Sequence, residues 1–287
     1  MEKRAQRLTW PVLLCAVGAC QCGPAETPKT DQADGGSYDA QIGPTYASLD
    51  DRQRVVLLGG SMAAAKDVPL AASFGELLLN NDDEGFPDFA DRDLDTLRPG
   101  SDRFGLAIDS ARVADVKTTQ LPNVPDDATL IIVAIGIDDY LDAAGTTLQV
   151  GTDQAADFGA ALEQALIGLR DSTRFAVLPH VYVINTIDPA DGASDADAVY
   201  GGSWPAAAPV LAAFNAEISR AANAHSARLV DAQLPFLGHG NHFDDRNNPN
   251  YESSDPTLWL QTDGIHLNRR GHSEVRRLLL NSILGSN

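Results

Sequence analysis

The chain has 287 residues, 44% of them hydrophobic and 21% charged, enough to bury one catalytic-sized core with a short tail left over. A formal charge of -19 excludes a nucleic-acid binder, because counterion release needs clustered Lys and Arg. All three cysteines, Cys15, Cys20 and Cys22, lie close to the first residue, so thiol, disulfide and thiolate-zinc chemistry are excluded from the body of the chain.

Taken in order, Lys3, Arg4 and Arg7 precede an apolar run over residues 8–19 that is too short to span a bilayer and has the layout of an export signal. The run closes on Val17-Gly18-Ala19-Cys20, which resembles the lipobox at which bacterial lipoproteins are cleaved and acylated. Residues 1–19 are therefore expected to be a signal peptide and Cys20 the lipidation site; an ordinary signal peptide with incidental cysteines would leave export unchanged. Residues 20–51 are rich in Pro, Gly, Asp and Thr without apolar periodicity, the composition of a disordered tether. Because the body is acidic, membrane attachment is expected through the N-terminal lipid only.

The remainder, residues 52–287, reads as one domain. Short apolar runs at 54–58, 103–108, 129–135, 175–185 and 227–231 predict five strands, and continuous apolar character suits strands buried on both faces. Between them, Ala-rich and amphipathic stretches at 70–80, 154–170, 206–225 and 269–284 predict helices. Alternating β and α segments imply an α/β fold with a doubly wound parallel sheet, and residues 81–95 and 238–255 fall where loops shape a pocket.

Two local patterns carry chemistry. The first strand ends in Leu57-Leu58-Gly59-Gly60-Ser61, so Ser61 stands where a buried strand is expected to turn into a helix, at the edge where such sheets place ligands. There a hydroxyl faces solvent and its own N–H points the same way, as a nucleophile with an oxyanion site requires; alone, Ser61 reads equally well as a helix N-cap. Near the far end, Thr262-Asp263-Gly264-Ile265-His266 precedes the last helix. An Asp three residues before a His lets the carboxylate hold one imidazole nitrogen while the other takes the serine proton.

With these blocks in view, the chain resembles the SGNH (GDSL-like) hydrolase family along nearly all of its length after the tether. That family has a serine in an early Gly-Asp-Ser block, a glycine in a second, Gly-x-Asn-Asp in a third and Asp-x-x-His last. Here Gly59-Gly60-Ser61 departs from the first at Gly60, Asp263-Gly264-Ile265-His266 matches the last, Ser110 stands at the glycine of the second, and Ile135-Gly136-Ile137-Asp138-Asp139 puts Asp138 at the asparagine of the third. Segments 185–192 and 236–240 resemble loops of a bacterial lipoprotein branch of the same family.

The resemblance implies a flavodoxin-like three-layer sandwich with a five-stranded parallel sheet, and an exported serine esterase or lipase without metal or organic cofactor. Ser61, Asp263 and His266 would form its triad, and Ser61, Ser110 and Asp138 its oxyanion hole. Its substrate would be a small-molecule, lipid or acylated-carbohydrate ester. An ionised Asp138 would repel the charge that develops in the reaction, so a non-catalytic surface binding protein that keeps the fold is the second reading. No Gly-x-Ser-x-Gly elbow surrounds Ser61, which argues against an α/β-hydrolase. The His239, His242, Asp244 and Asp245 loop reads as solvated rather than metal-binding, and residues 81–85 lack EF-hand spacing.

Overall fold

The apolar runs are hydrogen-bonded side by side in the order β2-β1-β3-β4-β5, all parallel: β1 Arg54–Gly59, β2 Asp102–Gly105, β3 Leu130–Ala134, β4 His180–Ile184 and β5 Arg228–Val230. This is a computed structural model, and it describes residues 44–192 and 197–285. The expected signal peptide, Cys20 and the tether up to residue 43 lie outside the described residues.

Alternation along each strand sorts side chains into two cores. Val56, Leu58, Ile131, Val133 and Val183 meet α3 (Leu148–Leu169) and α4 (Ala207–Ala224), whereas Val55, Leu57, Leu130, Ile132 and Ile184 meet α1 (Phe74–Leu79) and α5 (Arg269–Leu284). A short helix, α2 (Ile137–Asp142), follows β3. The result is the three-layer flavodoxin-like sandwich, with its switch point between β1 and β3, where the chain leaves one edge and begins building the other.

Several boundaries differ from the sequence expectation for identifiable reasons. Strand β4 begins at His180 rather than near residue 175, because Leu178 bridges Tyr46 instead of a neighbouring strand. Residues 45–49, read as tether, thus lie on the domain: Leu178 N–H donates to Thr45 O at 2.8 Å and Ala47 N–H to Leu178 O at 2.9 Å, while Arg98 Nε donates to Leu49 O at 2.9 Å. The domain therefore includes the end of the expected tether that adjoins residue 52. Strand β2 is an edge with Phe104 exposed, so it is not buried on both faces. The expected helix at 70–80 is split, because Ser73 is extended and caps α1 by accepting from Glu76 N–H at 3.2 Å. Helix α3 starts six residues earlier than expected, at a Thr147 cap.

Candidate active site

Ser61 stands two residues beyond Gly59, the last residue of β1, and the backbone there is held tightly. Gly59 has φ +129°, and a Cβ on it would come within 1.9 Å of Ala134 O on β3, so only glycine fits. The buried Gln120 side chain clamps the same residue from both sides, accepting from Gly59 N–H at 2.7 Å and donating to Gly59 O at 2.9 Å. After Ser61 the chain runs through consecutive turns to Asp67 instead of the expected helix. Ala65 and Asp67 both have φ near +60°, which right-handed helix cannot accommodate.

The Asp-x-x-His pattern lies in a tight antiparallel hairpin closed by a Leu260–Leu267 bridge and a Gln261 N–H to His266 O bond of 2.7 Å. Inside it, His266 Nδ1 lies 2.6 Å from Asp263 Oδ2, and Asp263 Oδ1 accepts the N–H groups of Ile265 and His266 at 2.9 and 3.0 Å. Burial works to raise the Asp263 carboxyl, but these bonds outweigh it and bring the group below its ordinary range, so it stays ionised beside the imidazole. Gln261 Nε2 donates to Lys66 O at 2.8 Å, which pins the hairpin to the turn that carries Ser61.

The third wall comes from the ends of β2 and β3. Ser110 has φ +60°, the left-handed region that favours glycine, in keeping with its place at the glycine of the second block. Asp138, in the first turn of α2, turns its carboxylate toward the serine: Ser61 Oγ donates to Asp138 Oδ2 at 3.4 Å. Gly60 makes this possible, since a Cβ there would lie 2.9 Å from Asp138 Oδ2 and 3.1 Å from Ala111 O. The two departures from the family pattern, Gly60 and Asp138, are therefore one steric arrangement.

Burial raises the Asp138 carboxyl, against the opposing pull of Arg112, His266 and the Ser61 N–H and hydroxyl. Its neighbour Asp139 is pushed up to about 6, chiefly by burial and partly by Asp138. Ser61 is 2% exposed, and among the described residues its hydroxyl bonds to Asp138 rather than to His266. The structure thus gathers Ser61, Ser110, Asp138, Asp263 and His266 at the carboxyl ends of the strands, with the serine turned toward the carboxylate.

Sequence reasoning missed four side chains here: Gln120, Gln261, Arg112 and Asp67. Asp67 brings a carboxylate oxygen within 4.8 Å of one ligand-type atom each on Asp263 and His266, so a second acid faces the pair. By contrast, the residues of the 239–245 loop do not converge. His239 is 5% exposed and stacks on Trp259 at 3.5 Å, so it is packed, not solvated as expected, and its Nδ1 lies 3.0 Å from Thr257 O. Asp191, wholly buried, holds that loop by accepting from Gly238, Gly240 and His242 N–H groups at 3.0, 2.7 and 2.9 Å.

The 2-1-3-4-5 strand order is flavodoxin-like, and the serine, the acids and the imidazole gather at its switch-point end. The chain belongs to the GDSL-like lipase/acylhydrolase family, whose model matches residues 55–279, and is a carboxylic ester hydrolase by that membership. Its fold is similar to that of Axe2, an acetylxylan esterase from Geobacillus stearothermophilus, at 13% identity over 82% of this chain and 95% of that one, with a TM-score of 0.55. It is likewise similar to an extracellular lipase from Streptomyces rimosus, at 19% identity over 80% and 99% of the two chains and a TM-score of 0.55. The acetyl xylan esterase AlAXEase gives 16% identity over 80% and 98%, again with a TM-score of 0.55. A search of curated protein sequences gives no match.

Proposed function

We propose that the protein is an exported serine esterase that cleaves an acyl or acetyl ester through a covalent acyl-enzyme at Ser61. The observation that carries this reading is the Asp263–His266 pair at 2.6 Å in a hairpin fastened by Gln261 to the Ser61 turn. Ser61 Oγ attacks the ester carbonyl carbon while His266 Nε2 takes its proton, and Asp263 holds Nδ1 and stabilises the imidazolium. The Ser61 and Ser110 N–H groups receive the oxyanion, and His266 returns the proton to the departing alcohol. Water, activated by the same imidazole, then attacks the acyl-enzyme and frees the acid.

Serving this chemistry requires the Ser61 hydroxyl to exchange its bond to Asp138 for one to His266. Acetylxylan and lipid esters are substrates named for similar folds and set the range of leaving groups to try. Export and anchoring rest on the basic and apolar N-terminus and on Cys20, with cleavage before that cysteine.

One experiment addresses site and processing together: intact-mass analysis of the protein expressed in a lipoprotein-processing bacterium and treated with a fluorophosphonate. We expect a chain beginning at an acylated Cys20 and carrying one phosphonyl group on Ser61. A chain that takes no label would favour the second reading, a binding protein whose Asp138 occupies the catalytic serine. Cleavage elsewhere without acyl mass would remove the lipid anchor.

A further inference from the structure

Arg112 sits two residues beyond Ser110, and its guanidinium reaches across the oxyanion wall. Nη1 donates to Ser110 O at 2.7 Å, Nη2 donates to Asp142 Oδ1 at 2.8 Å, and Nε also donates to the Asp142 carboxylate. The same Nη1 lies 3.7 Å from Asp138 Oδ1, whose other oxygen faces Ser61. The backbone follows the same course, because Val113 N–H donates to both Asp139 oxygens at 3.2 Å. One residue thus joins the loop that carries Ser110 to the helix that carries Asp138, Asp139 and Asp142.

We propose that Arg112 is a positioning residue for ester hydrolysis: it pairs with Asp138 across the oxyanion wall, so that the oxyanion forms beside a compensated ion pair instead of a bare carboxylate. This rests on the esterase reading of the same site. The physical need is plain, since a carboxylate beside the Ser61 hydroxyl would otherwise repel the charge that the N–H groups of Ser61 and Ser110 are placed to stabilise. Gly60 leaves room for the carboxylate, and Arg112 supplies the opposite charge. The groups that face Asp138 are Arg112, Asp139, His266 and the Ser61 hydroxyl; Arg112 itself also faces Asp142 and the Ser110 carbonyl.

The test is a double-mutant cycle on full-length protein with a short aryl ester, using Arg112→Gln, Asp138→Asn and the pair. In the wild-type background Arg112→Gln should lower kcat on the order of tenfold to a hundredfold with little change in KM, the size of coupling seen between contacting charged groups. Its loss should grow as pH rises through the titration of Asp138 and fade below it, where a protonated Asp138 needs no compensation. In the Asp138→Asn background the same change should cost less than about threefold. Equal cost in both backgrounds overturns the proposal and makes Arg112 a mere loop brace.

A readout independent of turnover accompanies the cycle. Carboxylate carbon NMR, with the Asp138 signal identified by its loss in Asp138→Asn, should show the Asp138 midpoint moving up when Arg112 becomes Gln. An unmoved midpoint overturns the pairing. Failure of the wild type to hydrolyse esters or label at Ser61 would instead reject the esterase reading, with the NMR still deciding whether Arg112 and Asp138 are paired.

Discussion

The hairpin that presents His266 and the wall that faces it are built on different plans. In the hairpin, the contacts of Asp263 are short, local and of the expected sign, an ionised carboxylate under an imidazole with two backbone N–H groups on it, and Gln261 fastens the hairpin to the serine turn. Across from it, a carboxylate stands where the family pattern has an amide, a glycine stands where it has an acid, and an arginine bridges the two sides. On the proposed mechanism, the half that would handle the proton keeps the family pattern and the half that would stabilise charge departs from it.

This contrast is broken most severely through its shared element. Ser61→Ala and His266→Ala should each lower hydrolysis of short aryl esters by at least about a thousandfold and to similar extents, because triad members act as a unit. Unequal losses, with His266→Ala nearly active, would show that Asp138 rather than His266 takes the serine proton. Next in size, Asp138→Asn should raise kcat at neutral pH by about tenfold to a thousandfold, the worth of one oxyanion donor; a lower rate would mean that the carboxylate is needed as it stands.

Smaller effects sharpen each half separately. Gln261→Ala removes the link from the hairpin to Lys66 O and should reduce kcat/KM about fivefold, since a hydrogen bond of this kind contributes roughly 1 kcal/mol. An unaltered rate would show the hairpin to be self-supporting. Ser110→Gly relieves a left-handed backbone at φ +60° and should stabilise the fold by about 0.5 kcal/mol in thermal unfolding, with kcat within about twofold because the N–H remains. A marked fall in kcat would give the Ser110 hydroxyl a part in the wall.

How much of this could be read from the residues follows from distance along the chain. The strands announced themselves because runs such as Val55–Leu58 alternate between two buried faces, and the Asp263–His266 pair because three residues suffice to bring the groups together. Ser110 and Asp138 were found by family pattern at strand ends. Gln120 clamps a residue 61 positions away, Arg112 reaches Asp142 across 30, and Gln261 reaches Lys66 across 195, so none carried a local signal. Tyr46 was hidden for another reason: a single bridge to Leu178 has no periodicity, and its surroundings have a linker's composition.

The central claim, that the oxyanion wall turns on the charge of Asp138, is tested most directly by kcat against pH for wild type and Asp138→Asn side by side. Burial raises the Asp138 carboxyl above its ordinary value; protonated, it can donate to the oxyanion, whereas ionised it cannot donate and leaves a carboxylate whose repulsion Arg112 offsets only in part. The need for an unprotonated His266 is common to both proteins, so the ratio of wild-type to Asp138→Asn kcat should fall as pH rises through the Asp138 titration, with Asp138→Asn the faster above it. Superimposable profiles of equal height would contradict the account and take Asp138 out of the oxyanion site.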